Sequence, residues 1–285
     1  MDELLQESKN ITNINCNVNR SVGQVKLNGI DINSIVTAFS GLGEKTNLLV
    51  KHNMYSTLAK DIVSSSFNKL ASTGADIIGF SQYLLSDNKP ASEEVEKELA
   101  LELKKYNCSS MSVKIEQSGD NSAFCGLALG VNSIQKEEIV SGDIIIGLAS
   151  DGLHFNGYEK VSALYKGGFL SDEEYKDTLK PALNYYYDVI DLYKKNKIKL
   201  GVNITKGGIY TCLNKVLPKG LKADLNLKHI PPQPIFEKLK DLTGDEFYNI
   251  FNGGIGFCLI AERACDEIFF KECQKYNPII LGVIE

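Results

Sequence analysis

The amino-acid sequence predicts an α+β protein of two domains, each a mixed or antiparallel sheet packed with helices. The chain has 285 residues, which is long for one hydrophobic core and comfortable for two. Short apolar runs alternate with amphipathic stretches of helical spacing in both halves, and the first half has the order β-α-β-α-β-β. We therefore expect a flexible arm at residues 1–24, a first domain at 25–141 and a second domain at 142–285.

Composition and charge exclude several classes of protein. Lysine and arginine number 31 against 36 aspartates and glutamates, a net charge of −5, whereas a nucleic-acid-binding surface needs a basic excess. No apolar stretch is long enough to cross a bilayer, and the acidic, polar first residues are unlike a signal peptide. The seven cysteines are scattered, odd in number and without a CxxC pair. Reduced thiols and a cytoplasmic location are therefore expected, without nucleic-acid or membrane partners.

The elements of the first half follow from its apolar pattern. Residues 1–24 are polar and rich in asparagine, which predicts an arm ordered only by a partner or a ligand. Residues 35–39 form an apolar run that predicts a strand, and the glycine-rich residues 40–45 end it. Apolar residues at helical spacing then predict a long helix that stops at Gly74. The other predicted elements of this half are a strand at 77–85, a helix from Ser92 to about Asn107, and strands at 112–115 and 123–131.

The second half begins with a predicted buried strand at residues 144–149, a loop at 150–157 and a helix starting near Tyr158. A second helix start is predicted at Ser171, because a serine followed three residues later by a glutamate can form a capping box. A strand beginning at residue 200 runs into a glycine loop that ends at residue 208. The remaining predicted elements are helices at 185–195, 209–216, 235–242, 246–251 and 265–276, and strands at 223–227, 255–260 and 279–284.

The 150–157 loop carries the strongest indications of function. Loops between a strand and a helix present backbone N–H groups to anions, and glycines there let a ligand approach closely. This loop also holds Asn156 and His154, one of three histidines in the chain. A histidine in such a loop can hydrogen-bond an amide or a phosphate, or exchange a proton near neutral pH. The alternative is a structural histidine that caps the following helix.

Several motifs of the second half occur in one order and spacing. Residues 142–159 are GDIIIGLASDGLHFNGYE, residues 215–223 are KVLPKGLKA, residues 246–257 are EFYNIFNGGIGF, and the chain ends in LGVIE. These segments resemble the aminoimidazole ribonucleotide synthetase family, also called phosphoribosylformylglycinamidine cyclo-ligases. That family has GDxxIGLASSGLHSNGYS, RVLPxGLxA, EMYRTFNMGIGM and IGxVxE at the corresponding places. The resemblance covers residues 142–285.

The first half resembles the same family less closely and departs from it at acidic positions. The family has TDGVGTK where this chain has SGLGEK at 40–45, so Ser40 stands in place of an aspartate. The family's VNDL is FNKL here, which puts Lys69 in place of a second aspartate. Its GGETAEMP segment corresponds to residues 114–120, where Glu116 is retained.

The resemblance implies an assembly and a reaction. In this family the first domains of two subunits pair to close a β-barrel, so a homodimer is expected. ATP phosphorylates the amide oxygen of formylglycinamidine ribonucleotide, a nitrogen attacks that carbon, and the imidazole ring closes with loss of phosphate. ATP and Mg²⁺ are then the expected cofactors, and a small-molecule nucleotide is the expected substrate.

The resemblance also implies roles for particular residues. His154, Asn156 and Lys45 are expected to be catalytic, and Glu116 is expected to bind the metal. The residues expected to bind the nucleotide are Gly41, Gly43, Asn68 and Asp61, and those expected to bind the substrate are Gly152, Thr205, Gly207 and Gly208.

Most of these assignments have a structural alternative. A lone GxGxK motif such as that at 41–45 is also an ordinary turn after a strand. Asp61 can be a helix cap or a charge on a helix surface, Glu116 a strand residue facing solvent, and 205–208 a turn before a helix. Asp151, where the family has a serine, adds negative charge close to the expected substrate phosphate.

Two further hypotheses follow from the departures. Because Ser40 and Lys69 replace aspartates, the chain can be a catalytically impaired paralogue that keeps the fold as a nucleotide-binding or regulatory subunit. A lysine supplies positive charge, but it cannot arrange the octahedral oxygen ligands that Mg²⁺ requires. The third hypothesis is a kinase-like or selenophosphate-forming member of the same superfamily, although the chain lacks the cysteine- or aspartate-rich N-terminal signals of those enzymes.

Overall fold

The computed structural model describes residues 15–19, 22–26, 34–86, 89–117, 122–132, 134, 136–264 and 267–285. In this part of the chain a first sheet is built from β1 (Asn15–Asn19), β2 (Val22–Lys26), β3 (Ser34–Gly41), β4 (Asp76–Leu85), β5 (Ser110–Glu116) and β6 (Ala123–Asn132). The spatial order of these six strands is β1-β2-β3-β6-β4-β5. Neighbours run antiparallel except β4 and β5, which are parallel, so this sheet is mixed.

The helices that accompany the first sheet are α1 (Glu44–Lys51), α2 (Tyr55–Thr73) and α3 (Lys89–Lys105). The central helix α2 packs against β3 and β6 and buries Leu58, Ile62 and Phe67 completely. It ends at Gly74, whose φ of 76° lies in the left-handed region and lets its N–H turn back to the last carbonyls. The predicted helix and its stop are confirmed.

The opposite face of the first sheet is apolar and partly exposed. Residues of β3 and β6 alternate along each strand between a buried position toward the helices and a more exposed position on the other face. On that outer face Phe39 pairs with Leu127 across the two strands, and 54% of Phe39 is exposed. The apolar residues of this face in β3 and β6 are Ile35, Phe39, Leu127, Leu129 and Val131.

The second sheet is built from β7 (Ile144–Ala149), β8 (Leu200–Asn203), β9 (Ala223–Leu225), β10 (Ile255–Ala261) and β11 (Ile279–Ile284). Its spatial order is β8-β10-β7-β11-β9, and all neighbours are antiparallel. Its helices are α4 (Tyr158–Lys166), α5 (Asp172–Asp177), α6 (Tyr186–Lys194), α7 (Gly208–Asn214), α8 (Pro234–Thr243), α9 (Phe247–Ile250) and α10 (Glu267–Glu272). Short 3₁₀ turns occupy Leu227–His229, Gly244–Glu246 and Gln274–Tyr276. The capping box predicted at Ser171 is confirmed.

The hydrophobic core is continuous between the two sheets. Tyr186 of α6 lies against Phe67 of α2, with ring centroids 5.5 Å apart. Its hydroxyl accepts a hydrogen bond from the Ile77 N–H at 2.6 Å, and the hydroxyl of Tyr193 donates to the Ser72 carbonyl at 3.2 Å. The two halves therefore share one packed interior, which fixes the loops of one half against those of the other.

Most predicted elements are confirmed, and the differences have local causes. Within the predicted arm, residues 15–19 and 22–24 belong to the strand pair β1–β2, because backbone pairing with β3 holds a polar strand that lacks an apolar pattern. Residues 1–14 lie outside the described residues. Helix α1 was not predicted, because its apolar residues Leu48, Leu49 and Val50 are consecutive and show no helical spacing. None of the described helices is both long and apolar enough to span a membrane.

Candidate functional site

The 150–157 loop joins β7 to α4 and is held in a fixed shape. The side-chain amide of Gln233 donates to the Ser150 carbonyl at 2.7 Å and accepts from the Gly152 N–H at 3.3 Å. Asn252 donates to the Gly152 carbonyl at 3.2 Å from the other side. Gly157 has a φ of 85°, and a Cβ there would overlap the Phe251 ring. The loop is therefore a rigid connection and not a free turn.

His154 is buried at the centre of this loop and has a left-handed φ of 57°. Its Nε2 accepts a hydrogen bond from the Leu183 N–H at 3.3 Å, which assigns the proton of the neutral ring to Nδ1. Nδ1 itself is buried without a partner. Burial, and secondarily the charge of Lys45, lowers the pKa of His154 to about 3. The imidazole is thus neutral at physiological pH, which suits a hydrogen-bond donor better than a general acid.

Protein stability should depend on pH through His154. Its pKa in the folded protein lies below the ordinary value near 6.5, so under acid the unfolded chain binds a proton that the folded chain excludes. Stability present above pH 6.5 is therefore lost as the pH falls toward 3. Between pH 7.5 and pH 5.0 this residue should lower the free energy of unfolding by about 2 kcal/mol. Urea unfolding of wild type and His154→Gln at both pH values measures the contribution of His154 to this change in the free energy of unfolding.

The His154→Gln variant should lose about 2 kcal/mol less than wild type between the two pH values. His52→Gln is the matched control, because His52 is an exposed histidine, and it should keep the wild-type difference. An equal loss in wild type and His154→Gln would contradict the assignment of a neutral buried imidazole.

Lys45 and Asp61, predicted to serve catalysis and nucleotide binding, form a fully buried ion pair. Lys45 Nζ lies 2.7 Å from Asp61 Oδ2. The same ammonium donates to the carbonyls of His154 at 2.8 Å and Lys180 at 3.0 Å, and Asp61 Oδ1 accepts from the Ala182 N–H at 2.7 Å. Burial lowers the pKa of Lys45 and raises that of Asp61, while each charge opposes the shift of the other. Neither residue has a hydrogen-bonding atom directed to solvent.

Asn68 extends the same contact between the halves. Its amide nitrogen donates to the Leu183 carbonyl at 2.9 Å, and its oxygen accepts from the Tyr185 N–H at 2.8 Å. Residues 180–185 have no regular secondary structure and are called the strap below. Lys45, Asp61 and Asn68 hydrogen-bond to the backbone of this strap. The neutral imidazole of His154 also binds this strap, because its Nε2 accepts the Leu183 N–H. The structure brings these four predicted site residues together around one segment.

The 41–43 loop connects β3 to α1 and has the form of an anion site. Gly43 has a φ of 55°, and a Cβ there would meet nothing within 4 Å, so the loop is open on that side. The N–H groups of Lys45 and Thr46 donate to the Leu42 and Gly43 carbonyls at 3.2 and 3.0 Å, so the attraction for negative charge comes from the positive end of the helix dipole. On either side of the loop, the hydroxyls of Ser40 and Thr46 are buried without a hydrogen-bond partner.

Lys69 of α2 reaches the same end of β3. Its Nζ donates to the Phe39 carbonyl at 2.7 Å, one residue before Ser40. Burial lowers the pKa of Lys69 to about 8. The two residues that replace family aspartates therefore lie beside each other, next to the 41–43 loop.

Glu116, the predicted metal ligand, is engaged elsewhere on the sheet. It lies exposed at the end of the edge strand β5, accepts from the Tyr83 hydroxyl at 2.7 Å and pairs with Lys114 at 3.2 Å. Strand register places Gly41 and Lys114 three strands apart, or about 14 Å at the usual spacing. Among the described residues no group of three metal-ligating side chains forms. This donor set does not fit a Mg²⁺ held by protein carboxylates.

The 205–208 loop lies at the same end of the second sheet as the 150–157 loop. Thr205 N–H donates to the Cys212 sulfur at 3.3 Å, and Gly208 has a φ of 68° at the start of α7. The side-chain amide of Asn203, just before this loop, is buried with neither its nitrogen nor its oxygen paired. Ser150 Oγ and Asn156 Nδ2 are likewise buried without partners. Unpaired polar groups at one edge are the groups that a polar ligand would satisfy.

Several residues of this region were not predicted to matter. Gln233 and Asn252 fix the 150–157 loop, and Thr46 and Asn203 carry unpaired polar atoms. The proline-flanked position of Gln233 and the Asn-Gly-Gly sequence at 252–254 were available as signals. Asn203, at the end of the short strand β8, gave no such signal. Ligand contacts of His154, Asn156, Gly152, Thr205 and Gly207 stay predictions.

Comparison with known proteins places this geometry in a family. Residues 140–285 match the family described as AIR synthase related protein, C-terminal domain. The phosphoribosylformylglycinamidine cyclo-ligase of Staphylococcus carnosus (strain TM300) is 29% identical over 268 residues, covering 85% of this chain and 77% of that protein. The protein of the same name from Clostridium perfringens (strain 13 / Type A) is 30% identical over 259 residues, covering 85% of this chain and 78% of that protein.

Solved structures share the fold at much lower identity. The HypE-HypF complex superposes with a TM-score of 0.66 and 14% identity, covering 92% of this chain and 86% of that chain. AaThiL complexed with AMPPCP and TMP superposes with a TM-score of 0.65 and 12% identity, covering 92% and 84%. The fold, the ordered motifs and the curated relatives agree. The chain belongs to the phosphoribosylformylglycinamidine cyclo-ligase family.

Proposed function

We propose that this protein closes the imidazole ring of aminoimidazole ribonucleotide from formylglycinamidine ribonucleotide, using ATP. One observation carries the proposal: Lys45 donates to the His154 carbonyl at 2.8 Å, so the first turn of α1 lies against the 150–157 loop. The open 41–43 loop and the polar 150–157 loop thereby face a common region. A phosphoryl transfer needs such a juxtaposition, because most of its catalysis is positioning and electrostatic stabilisation.

The reaction balances without any group beyond ATP and substrate. The γ-phosphoryl of ATP passes to the amide oxygen, and ADP leaves. A substrate nitrogen then attacks the activated carbon, and the oxygen departs as part of inorganic phosphate. Loss of a proton from the nitrogen completes the aromatic ring. The protein has to hold the triphosphate, orient the amide and keep both in line.

Residues of the two halves divide these tasks. The backbone of the 41–43 loop binds the triphosphate at the N-terminus of α1. The unpaired groups of Ser150, Asn156 and Asn203 bind polar groups of the substrate. His154 acts as a neutral donor through Nδ1, since its lowered pKa argues against proton exchange near pH 7. Lys45 and Asp61 keep these loops in register.

The test is a coupled assay with the purified protein, formylglycinamidine ribonucleotide and ATP, with and without added Mg²⁺. We expect stoichiometric formation of ADP, phosphate and aminoimidazole ribonucleotide. Asn156→Ala should lower kcat/KM by tenfold or more, as loss of one substrate-orienting group does. Asn249→Ala, at an exposed asparagine of α9, is the matched control and should leave kcat/KM unchanged. Absence of product, while a known cyclo-ligase is active in the same mixture, would refute the proposal.

We further propose that two copies pair through the outer face of the first sheet and close a β-barrel. The apolar residues of β3 and β6 on that face, including the half-exposed Phe39, support this assembly. Sedimentation equilibrium should give twice the 31.4 kDa of one chain. A monomer at micromolar concentration would contradict it. The five cysteines whose side chains the structure describes are free thiols, which supports a cytoplasmic enzyme.

The second candidate function is a nucleotide-binding subunit without catalysis. Ser40 and Lys69 beside the 41–43 loop favour it, because they remove two carboxylates from the phosphate region. This candidate and the enzyme differ in one outcome. A protein that binds ATP but forms no imidazole product is the regulatory subunit.

A further inference from the structure

The end of β3 beside the 41–43 loop holds a cation in an unusual setting. Lys69 donates to a neutral backbone carbonyl, that of Phe39, and no carboxylate of the described residues compensates its charge. Burial of an ammonium costs free energy unless an anion or a set of hydrogen bonds compensates for the lost hydration. A half-buried ammonium whose described partner is a neutral carbonyl would therefore stabilise an anion bound next to it.

The other lysine of this region is not available for such a role. Lys45, the lysine of the GxGxK motif, is fully buried and pairs with Asp61. Its ammonium also binds the carbonyls of His154 and Lys180, so its hydrogen-bonding capacity is used within the protein. Lys69, by contrast, has one described hydrogen bond and keeps donors for a ligand.

Two buried hydroxyls mark the same place independently. Ser40 Oγ precedes the loop and Thr46 Oγ1 follows it, and both are almost wholly buried without a partner. Buried polar side chains of native proteins nearly always have a partner, so this pair indicates that a polar group is accommodated there. An N-terminus of α1, two free hydroxyls and an ammonium together suit a phosphate chain.

Local charge favours the phosphate chain over a metal ion. Ser40 in place of an aspartate removes one negative charge, and Lys69 in place of a second aspartate changes the charge by two. The region is thus three charges more positive than one that carries both carboxylates. Glu44 in the first turn of α1 keeps one carboxylate beside the loop. The change in charge therefore weakens the attraction for a divalent cation and strengthens that for a triphosphate.

We propose that Lys69 is the resident cation of the nucleotide site. Its ammonium, held beside the 41–43 loop by the Phe39 carbonyl, binds the triphosphate of a nucleoside triphosphate directly. The chain then binds this ligand without a divalent metal held by the protein. The inference rests on the proposed function only for the class of ligand, a nucleoside triphosphate.

The test is binding of ATP to the full-length protein by calorimetry, in buffer with EDTA and in buffer with excess Mg²⁺. Wild type should bind ATP in EDTA with a Kd within about threefold of that in Mg²⁺. Lys69→Met should weaken binding in EDTA by about tenfold or more, as loss of one charge-assisted hydrogen bond does. Lys69→Arg, which keeps the charge, should stay within about threefold of wild type. Lys69→Asp should bind ATP only when Mg²⁺ is present.

Lys136→Met is the matched control, because Lys136 also donates to a backbone carbonyl, that of Ser72 near the end of α2, and burial likewise lowers its pKa to about 8. It should bind ATP as wild type does. The cation role is wrong if wild type binds ATP only with Mg²⁺, fails to bind it at all, or binds it in EDTA as weakly as Lys69→Met. Binding in EDTA without ring closure refutes the proposed function alone, whereas ring closure with normal ATP binding by Lys69→Met refutes the cation role alone.

Discussion

Replacement of Asp61 by alanine is expected to lower the free energy of unfolding by about 3–5 kcal/mol, because it leaves the Lys45 ammonium buried without its counter-ion. The Ala182 N–H loses its acceptor in the same variant, so two buried groups become unsatisfied at once. Urea unfolding at pH 7.5, followed by circular dichroism, measures the loss directly. The change should appear as a lower midpoint with an unchanged denaturant slope.

A surface pair provides the comparison for Asp61. Asp191 of α6 and Lys195, the residue that follows this helix, lie 2.6 Å apart, as close as the buried pair, but both are half exposed. Asp191→Ala should therefore cost no more than about 0.5 kcal/mol. The double change Lys45→Met with Asp61→Leu should recover part of the loss, since it removes both charges. A cost below about 1 kcal/mol for Asp61→Ala would show that the interior is wetter than the structure implies.

Gly208→Ala is expected to lower the free energy of unfolding by about 4 kcal/mol. Gly208 has a φ of 68°, and a Cβ there would overlap the carbonyl oxygen of Tyr248, which is backbone and cannot rotate away. Relief of the overlap requires α7 and α9 to separate, which also displaces the 205–208 loop. Thermal unfolding by calorimetry detects the effect as a large decrease in Tm.

Gly220→Ala separates the cost of the backbone conformation from the cost of the steric overlap. Gly220 has a φ of 93° but meets nothing within 4 Å, so its variant suffers from the backbone conformation alone. That cost is about 1 kcal/mol. Equal losses at positions 208 and 220 would show that contact with Tyr248 is unimportant and would overturn the packing argument.

Elements with a strong local signal were predictable from sequence. The buried strand β7 is a compact apolar run, α2 has apolar residues at helical spacing before a glycine, and Ser171 carries its own capping partner. Helix α1 has a weak apolar face, and its Lys45 and Thr46 are buried although polar residues are ordinarily exposed. These two residues are buried because the second half of the chain packs against them, and no local sequence pattern indicates that contact.

The candidate site was predictable in its loops but not in its contacts. The glycines of the 150–157 loop predict a constrained turn, and Gly152, His154 and Gly157 have positive φ angles in the structure. The partner of Lys45 was not predictable, because Asp61 lies one helix later and Lys180 lies 135 residues away. Residues 180–185 contain no motif, since Lys45, Asp61 and Asn68 bind their backbone, and most side chains would leave the same N–H and carbonyl groups in place. Backbone recognition leaves no trace in the sequence of the segment recognised.

The strap at 180–185 also constrains how the protein is made. Its partners Lys45, Asp61 and Asn68 leave the ribosome more than 110 residues before it. Until residue 185 emerges, about two thirds of the chain into synthesis, these three side chains lack the backbone partners that they have in the folded protein. Domains of many proteins fold in the order in which they are synthesised. In this protein the contacts that complete the N-terminal half come from a segment of the C-terminal half.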